Sequence, residues 1–394
     1  MKMGKWARLL LAVAPLLAGC GDFWQAPSTT TTSSGTCTTN CTTATSGNFY
    51  ILNAGTTPEI VGESIVSGTL TKISGSPWTI PSAPYSMAIA PNGKFLVVST
   101  TSGVFAYPIT SGALGTGVSV STDQAYAIQV DATNSWLIEA IQGTGGVQLN
   151  AIPINSSTGT YVSPSTVRTA AFSVANAAVQ PNRMAISPDN SNIFIALGAG
   201  GVIVVPFSAS APFPTGISAS TIPVLNSGGS ALSVAVDPDS RLFYIGETLA
   251  NSASNSGGLR AFTYASLSTS TLVQATGSPI ATGGLAPNFI LPISSPSYVY
   301  VANGAGNTSA GNIAGFAVTA SGTTYSLTAG STVAAGVQPL GLAEDSSSAF
   351  VFAVGSLGSP YFDAYTFDTT TTGTLDSQIV STTSTGSIAI VAAP

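Results

Sequence analysis

Residues 84–100 read PYSMAIAPNGKFLVVST. Two apolar runs, MAIA and FLVVS, flank a Pro-Asn-Gly-Lys turn, which is the pattern of a β-hairpin. A lone hairpin cannot bury its apolar residues in water, so something must pack against it. The rest of the chain supplies copies. AYAIQVDATNSWLIEAI starts at Ala125, PNRMAISPDNSNIFIAL at Pro181 and ALSVAVDPDSRLFYIGE at Ala231. PNFILPISSPSYVYVAN follows from Pro287 and PLGLAEDSSSAFVFAVG from Pro339. Each has an apolar strand, a polar turn and a second strand rich in aromatic and β-branched residues. Turn chemistry explains Asn92-Gly93, Asp189-Asn190 and Asp237-Pro238-Asp239 more simply than calcium binding does.

A third strand follows each hairpin with a small-then-aromatic pair: Ala106-Tyr107, Ala261-Phe262, Gly315-Phe316, Ala364-Tyr365. A more polar, Thr-rich fourth strand closes the unit, as around Leu114 to Val120. Units begin 41 to 56 residues apart, a period that suits a propeller blade. The last ten residues, TGSIAIVAAP, match only a first strand, while Asn48-Phe49-Tyr50-Ile51-Leu52 reads as a second strand without a first. EIVGESIV and LTKIS then supply a third and a fourth. The expected fold is therefore all-β: a seven-bladed β-propeller with four antiparallel strands per blade. Its last blade is closed by N- and C-terminal strands, and the propeller spans residues 48–394. Period-2 patterning excludes a helical solenoid.

The amino terminus carries an address. Lys2, Lys5 and Arg8 precede an apolar stretch from Leu9 to Leu17 that is too short to span a bilayer, so residues 1–19 read as a signal peptide. The ending Leu17-Ala18-Gly19-Cys20 resembles the bacterial lipobox, which implies cleavage before Cys20, a diacylglyceryl group on its thiol and acylation of the new amino terminus. The expected location is the bacterial cell envelope, on the outer membrane or the periplasmic or cell-surface side, with membrane contact through the lipid anchor only. Residues 20–47 hold ten Thr and four Ser and cannot build a core. They read as a lipidated tether of at most roughly 90 Å at full extension. Cys37 and Cys41 within it are either a small-loop disulfide or two free thiols. A metal site is not expected, because the chain has no His and two thiols alone make a poor cage.

Only 6% of residues are charged. Loss of the signal leaves six basic residues against fifteen acidic ones, a net charge of −9. The six are scattered, which argues against nucleic acid as a partner. No Gly-rich phosphate loop precedes a helix, and without His no Ser-His pair exists. No cofactor is expected.

GTLTKISGSPWTIPSAPYSMAIAPNGKFLVVSTTSGVFAYPI resembles the repeat of lactonase-type (6-phosphogluconolactonase-like) propellers, with YVTN-like repeats. GSP recurs in TGSPIATGGLAPNFI, again just before a first strand. The resemblance covers residues 48–394 and implies a central pocket in which a His works with Arg and Glu, within a Pro-Arg-His segment. Here that segment is Pro181-Asn182-Arg183: Asn182 stands for the Arg and Arg183 for the His. The Glu position falls near Leu197-Gly198. Without His that acid–base arrangement cannot operate as in the family.

By register, the starts of the inner strands approach one mouth of the channel: Tyr85, Tyr126, Asn182, Arg183, Asn288 and Phe289. Rings, amides and one fixed cation suit a sugar, a small acid or a peptide. Glu63, in place of a third-strand aromatic, and Glu247, after a second strand, read as rim or loop charges. The catalytic residues stay unknown. The reading is a lipid-anchored, monomeric envelope propeller that binds a small carbohydrate or acid, or a peptide or protein ligand. The alternative is a lactone hydrolase with an altered active site.

Overall fold

The computed structural model describes residues 47–66, 69–163, 167–174, 180–251, 256–269, 271–294, 297–306, 309–358, 361–368, 371, 373–381 and 386–394. Cys20, Cys37, Cys41, the signal and the tether up to residue 46 lie outside the described residues; Gly47 begins the first strand.

The hairpin forms from Pro84–Ile89 and Phe95–Thr100, with Met87 opposite Val98 and Ala88 opposite Val97. Its turn needs a left-handed residue. Gly93 takes φ 67°, and its N–H bonds Ala90 O at 2.8 Å. Asn92 Oδ1 accepts from Lys94 N at 3.0 Å, which fixes the approach to the second strand. Gly103–Thr110 is the third strand, and both Ala113–Leu114 and Val118–Ser121 pair with it. The same order recurs in Ala127–Val130, Trp136–Gly143, Gly146–Pro153 and Arg168–Ser173, and again from Arg183–Ile186 to Ser220–Ile222 and from Ala231–Val236 to Ile280–Ala281.

The blade count departs from expectation. Seven separate four-stranded blades are not present. The described residues make five discrete blade sheets of four or five strands and one continuous seven-stranded sheet. That sheet holds everything from Ala286–Ile293 to Leu375–Ser381. The cause is one long strand, Thr324–Glu344, which pairs with Ala310–Ser321 along one part and with Phe350–Leu357 along another. Its sequence, TYSLTAGSTVAAGVQPLGLAE, holds no Asn or Asp turn signal, and the chain passes through Gln338 at φ 51° and a register shift between Pro339 and Gly341 without leaving the sheet.

The chain ends meet in one sheet. Ser387–Ala392 pairs antiparallel with Gly47–Asn53, Ile390 opposite Ile51 and Val391 opposite Tyr50. Ser387 Oγ donates to Asn53 Oδ1 at 2.9 Å, and Ala54 N to Gly386 O at 2.8 Å. Innermost strands of neighbouring sheets touch in a circle, and the C-terminal strand lies against Pro84–Ile89. Closure removes edges that would otherwise seek partners.

The core lies between sheets, face to face. One cluster joins Tyr50, Leu52 and Ile60 to Met87, Leu96, Val98 and Tyr107. Tyr50 keeps its ring fully buried and donates its hydroxyl to Gly112 O of the next sheet at 2.8 Å. The small-then-aromatic pairs follow from this packing: a Cβ on Gly315 would lie 3.0 Å from the Tyr300 ring. Both GSP segments repeat one conformation. Ser76 and Ser278 each precede a cis proline, and each hydroxyl accepts a third-strand N–H, from Gly62 and Ala261 respectively, at 2.9 Å.

Candidate functional site

First-strand starts and second-to-third-strand loops share one face of the ring, and the hairpin turns occupy the other. On the turn face the polar residues serve the backbone. Asp131 Oδ1 accepts from Ser135 N and Trp136 N at 2.8 and 2.7 Å, and Asn190 Nδ2 reaches Asp131 Oδ2 from the next sheet at 3.3 Å. Asp237 holds Arg241 through two hydrogen bonds, at 3.0 and 2.8 Å. Carboxylates so engaged terminate strands.

On the other face four of the six mouth residues meet in two pairs. Tyr85 and Tyr126, from neighbouring sheets, meet with ring centroids 4.8 Å apart. Burial, and then the neighbouring Tyr126 hydroxyl, holds the Tyr85 phenol above its ordinary value. The second group centres on Arg183. Its Nη2 donates to Leu340 O at 2.7 Å, across to the seven-stranded sheet, and its guanidinium lies 5.5 Å over the Phe289 ring. Surrounding protein lowers its pKa to about 10, so it stays protonated at neutral pH. Among the described residues Arg183 has no carboxylate at ion-pairing distance. A guanidinium carries five donors, and this one has committed one of them.

Asn182 and Asn288 act as clamps. Asn182 Nδ2 donates to Ala231 O and Asn288 Nδ2 to Pro339 O, each at 3.0 Å and each onto the first strand of the following unit. Their amides set the spacing of the funnel wall. A cavity of about 460 Å³ opens beside them, sharing Asn288 and Leu340 with the Arg183 group.

Glu247 is buried and engaged. Its Oε1 meets Arg260 Nη1 at 2.6 Å, and its Oε2 accepts from Leu225 N at 3.0 Å, tying the loop of one sheet to the next. It is therefore no rim charge, contrary to the sequence reading. Glu63 lies opposite Lys72 in the closing sheet; burial raises its pKa, and Lys72 partly opposes the shift. Neither carboxylate joins the Arg183 group.

Sequence reasoning missed one carboxyl pair. Glu139, in Trp136–Gly143, is fully buried, and burial followed by the charge of Asp123 raises it to about 8. Asn150 Nδ2 reaches Asp123 Oδ2 at 2.8 Å and Glu139 Oε2 at 3.5 Å, beside a cavity of about 290 Å³. The signal was present, a single acid within the apolar run WLIEAI. Asn150, Arg260 and Asp363 occupy one repeated position, each opposite the fourth residue of its second strand. Burial raises Asp363 to about 7.

No known family's sequence profile matches the chain, and no curated protein matches it in sequence. Solved structures do share its shape. A periplasmic gluconolactonase of Pseudomonas aeruginosa superposes with a TM-score of 0.64 at 14% identity, over 89% of this chain and 100% of that one. A candidate 6-phosphogluconolactonase from Bacteroides fragilis gives 0.67 at 14% identity, over 90% and 100%. A protein of Lactobacillus plantarum gives 0.63 at 16%, over 88% and 99%. Identities this low speak for fold and not for chemistry. By fold, the chain is a β-propeller, similar in shape to those solved structures.

Proposed function

We propose that this chain is a lactone hydrolase with an altered site, in which Arg183 stands at the position of the acid–base group and binds the developing oxyanion instead. The observation that carries the reading is a guanidinium at the funnel with no carboxylate partner among the described residues, within a fold like that of gluconolactonase propellers. The lactone carbonyl oxygen accepts from the N–H groups that Arg183 has left uncommitted. Water adds to the carbonyl carbon and gives up a proton to solvent, and the guanidinium stabilises the oxyanion. The ring C–O bond then breaks, its alkoxide takes a proton from solvent, and a hydroxy acid leaves as its carboxylate. Tyr85 and Tyr126 offer rings and hydroxyls to the sugar-like body of the substrate. Without a general base the acceleration is expected to fall short by the 10²–10⁴-fold that such a group typically contributes. Attachment to the envelope through Cys20 belongs to the same proposal.

The test is δ-gluconolactone hydrolysis, followed by proton release at pH 7 against the spontaneous rate. The account expects turnover above background that Arg183→Gln removes. A rate equal to background, with and without Arg183, refutes hydrolysis. One observation favours a second reading, a module that binds such ligands without turning them over: among the described residues no carboxylate pairs with Arg183 to activate water.

A further inference from the structure

We propose that the funnel takes a lactone carrying an apolar side arm, with the ring at Arg183 and the arm in the cavity bounded by Leu249, Leu285 and Leu340. This rests on the lactone reading above and names the class of substrate. The cavity, about 460 Å³, is continuous in its lining with the Arg183 group, because Leu340 supplies the carbonyl that Arg183 grips and Asn288 adjoins Phe289. Among the described residues no charged side chain lines it.

Three features mark the cavity as built. Leu249 sits at φ 58° and Gln338 at φ 51°, a region that side chains of this size rarely adopt. Asn226 Nδ2 holds the Leu249 carbonyl at 2.6 Å, which fixes that turn against the cavity. Other left-handed residues, Asn134, Asn190, Ser240 and Ser348, stand in hairpin turns where short polar side chains suit the conformation. Leu285 leaves 52% of its surface open at the mouth, apolar area that a ligand would cover.

Charge separates this class from phosphorylated sugar lactones. A phosphate brings up to two negative charges and is held by several donors. Among the described basic residues around the funnel, Arg183 is the one without a carboxylate partner. Arg241 and Arg260 are paired to carboxylates, and Lys72 faces Glu63. Lys94 lies in a hairpin turn at the far face, and Arg168 on an outermost strand.

The experiment is calorimetric titration of the full chain with δ-lactones bearing methyl, propyl and pentyl arms, beside δ-gluconolactone and 6-phosphogluconolactone. The expected result is affinity rising about fourfold per added methylene, the transfer value of a buried CH₂. Leu285→Asp flattens that rise and Leu285→Met restores it. A flat series while δ-gluconolactone binds, or tightest binding by the phosphorylated lactone, overturns the apolar-arm assignment alone. Failure of every lactone to bind overturns the parent reading with it.

Discussion

Replacing Ile390 by Ala tests whether the two chain ends hold the ring together. Ile390 is 4% exposed, lies opposite Ile51 and packs with Phe49, Phe352 and Val354. Phe49 stacks on Phe362 at 5.1 Å and meets Phe352 at 4.4 Å. Rings held on both sides collapse poorly into a void, so the cost belongs in the middle of the 2–5 kcal/mol range for such truncations, at about 3 kcal/mol. An unfolding entropy of about 2.1 cal/mol/K per residue over roughly 350 residues makes that a fall of about 4 °C in Tm. Thermal and urea unfolding of the full chain supply the measurement. Val118→Ala is the control, since Val118 sits on an outer strand at 44% exposure and should change stability by less than ~0.5 kcal/mol. Equal melting of the two variants would refute the closure argument.

Three other outcomes are expected. Glu139 is protonated in the fold up to about pH 8 but ionises near its ordinary value when unfolded. Its contribution is thus complete below about 4.5 and lost as pH rises through 8. Tm should fall over that window, with Asp363 acting in the same direction, and Glu139→Gln should flatten the fall; an identical slope in the variant contradicts the assignment. Glu247→Gln strands Arg260 in a buried site and should cost about 3–5 kcal/mol in urea unfolding, while an unchanged midpoint would mean the pair is solvated. Cys20→Ala should abolish labelling by radioactive fatty acid in a bacterial host; equal label in both proteins removes the lipid anchor.

Much of the fold was legible because its determinants are local. Pro-Asn-Gly-Lys states a turn, and alternating residues such as those of FLVVS state a strand. The split repeat at the two ends was legible for the same reason, since an orphan strand needs its partner. The long strand Thr324–Glu344 was not, because its joining of two units depends on what pairs on either side of Gly336 and Pro339, and spacing does not record that. At the mouth, register brought Tyr85 to Tyr126 and Arg183 to Phe289. The role of Asn182 and Asn288 as clamps depends on carbonyls 49 and 51 residues away. Glu247 was read as a rim charge because its partner, Arg260, comes from the next strand and the loop at Leu225 from another sheet. Glu139 was passed over because an acid in an apolar run gains meaning only once Asp123 and Asn150 are beside it.

The central claim is that Arg183 receives the carbonyl or carboxylate oxygen of a lactone or its acid. Titrating wild type and Arg183→Gln with gluconate, the hydrolysed product, isolates that contact from turnover. A charged hydrogen bond contributes about 1.5–3 kcal/mol, so the substitution should weaken binding by roughly 10- to 150-fold. Tm of the variant, read alongside, shows whether loss of the Leu340 contact has disturbed the ring. Equal gluconate affinity in a folded Arg183→Gln chain would contradict the account.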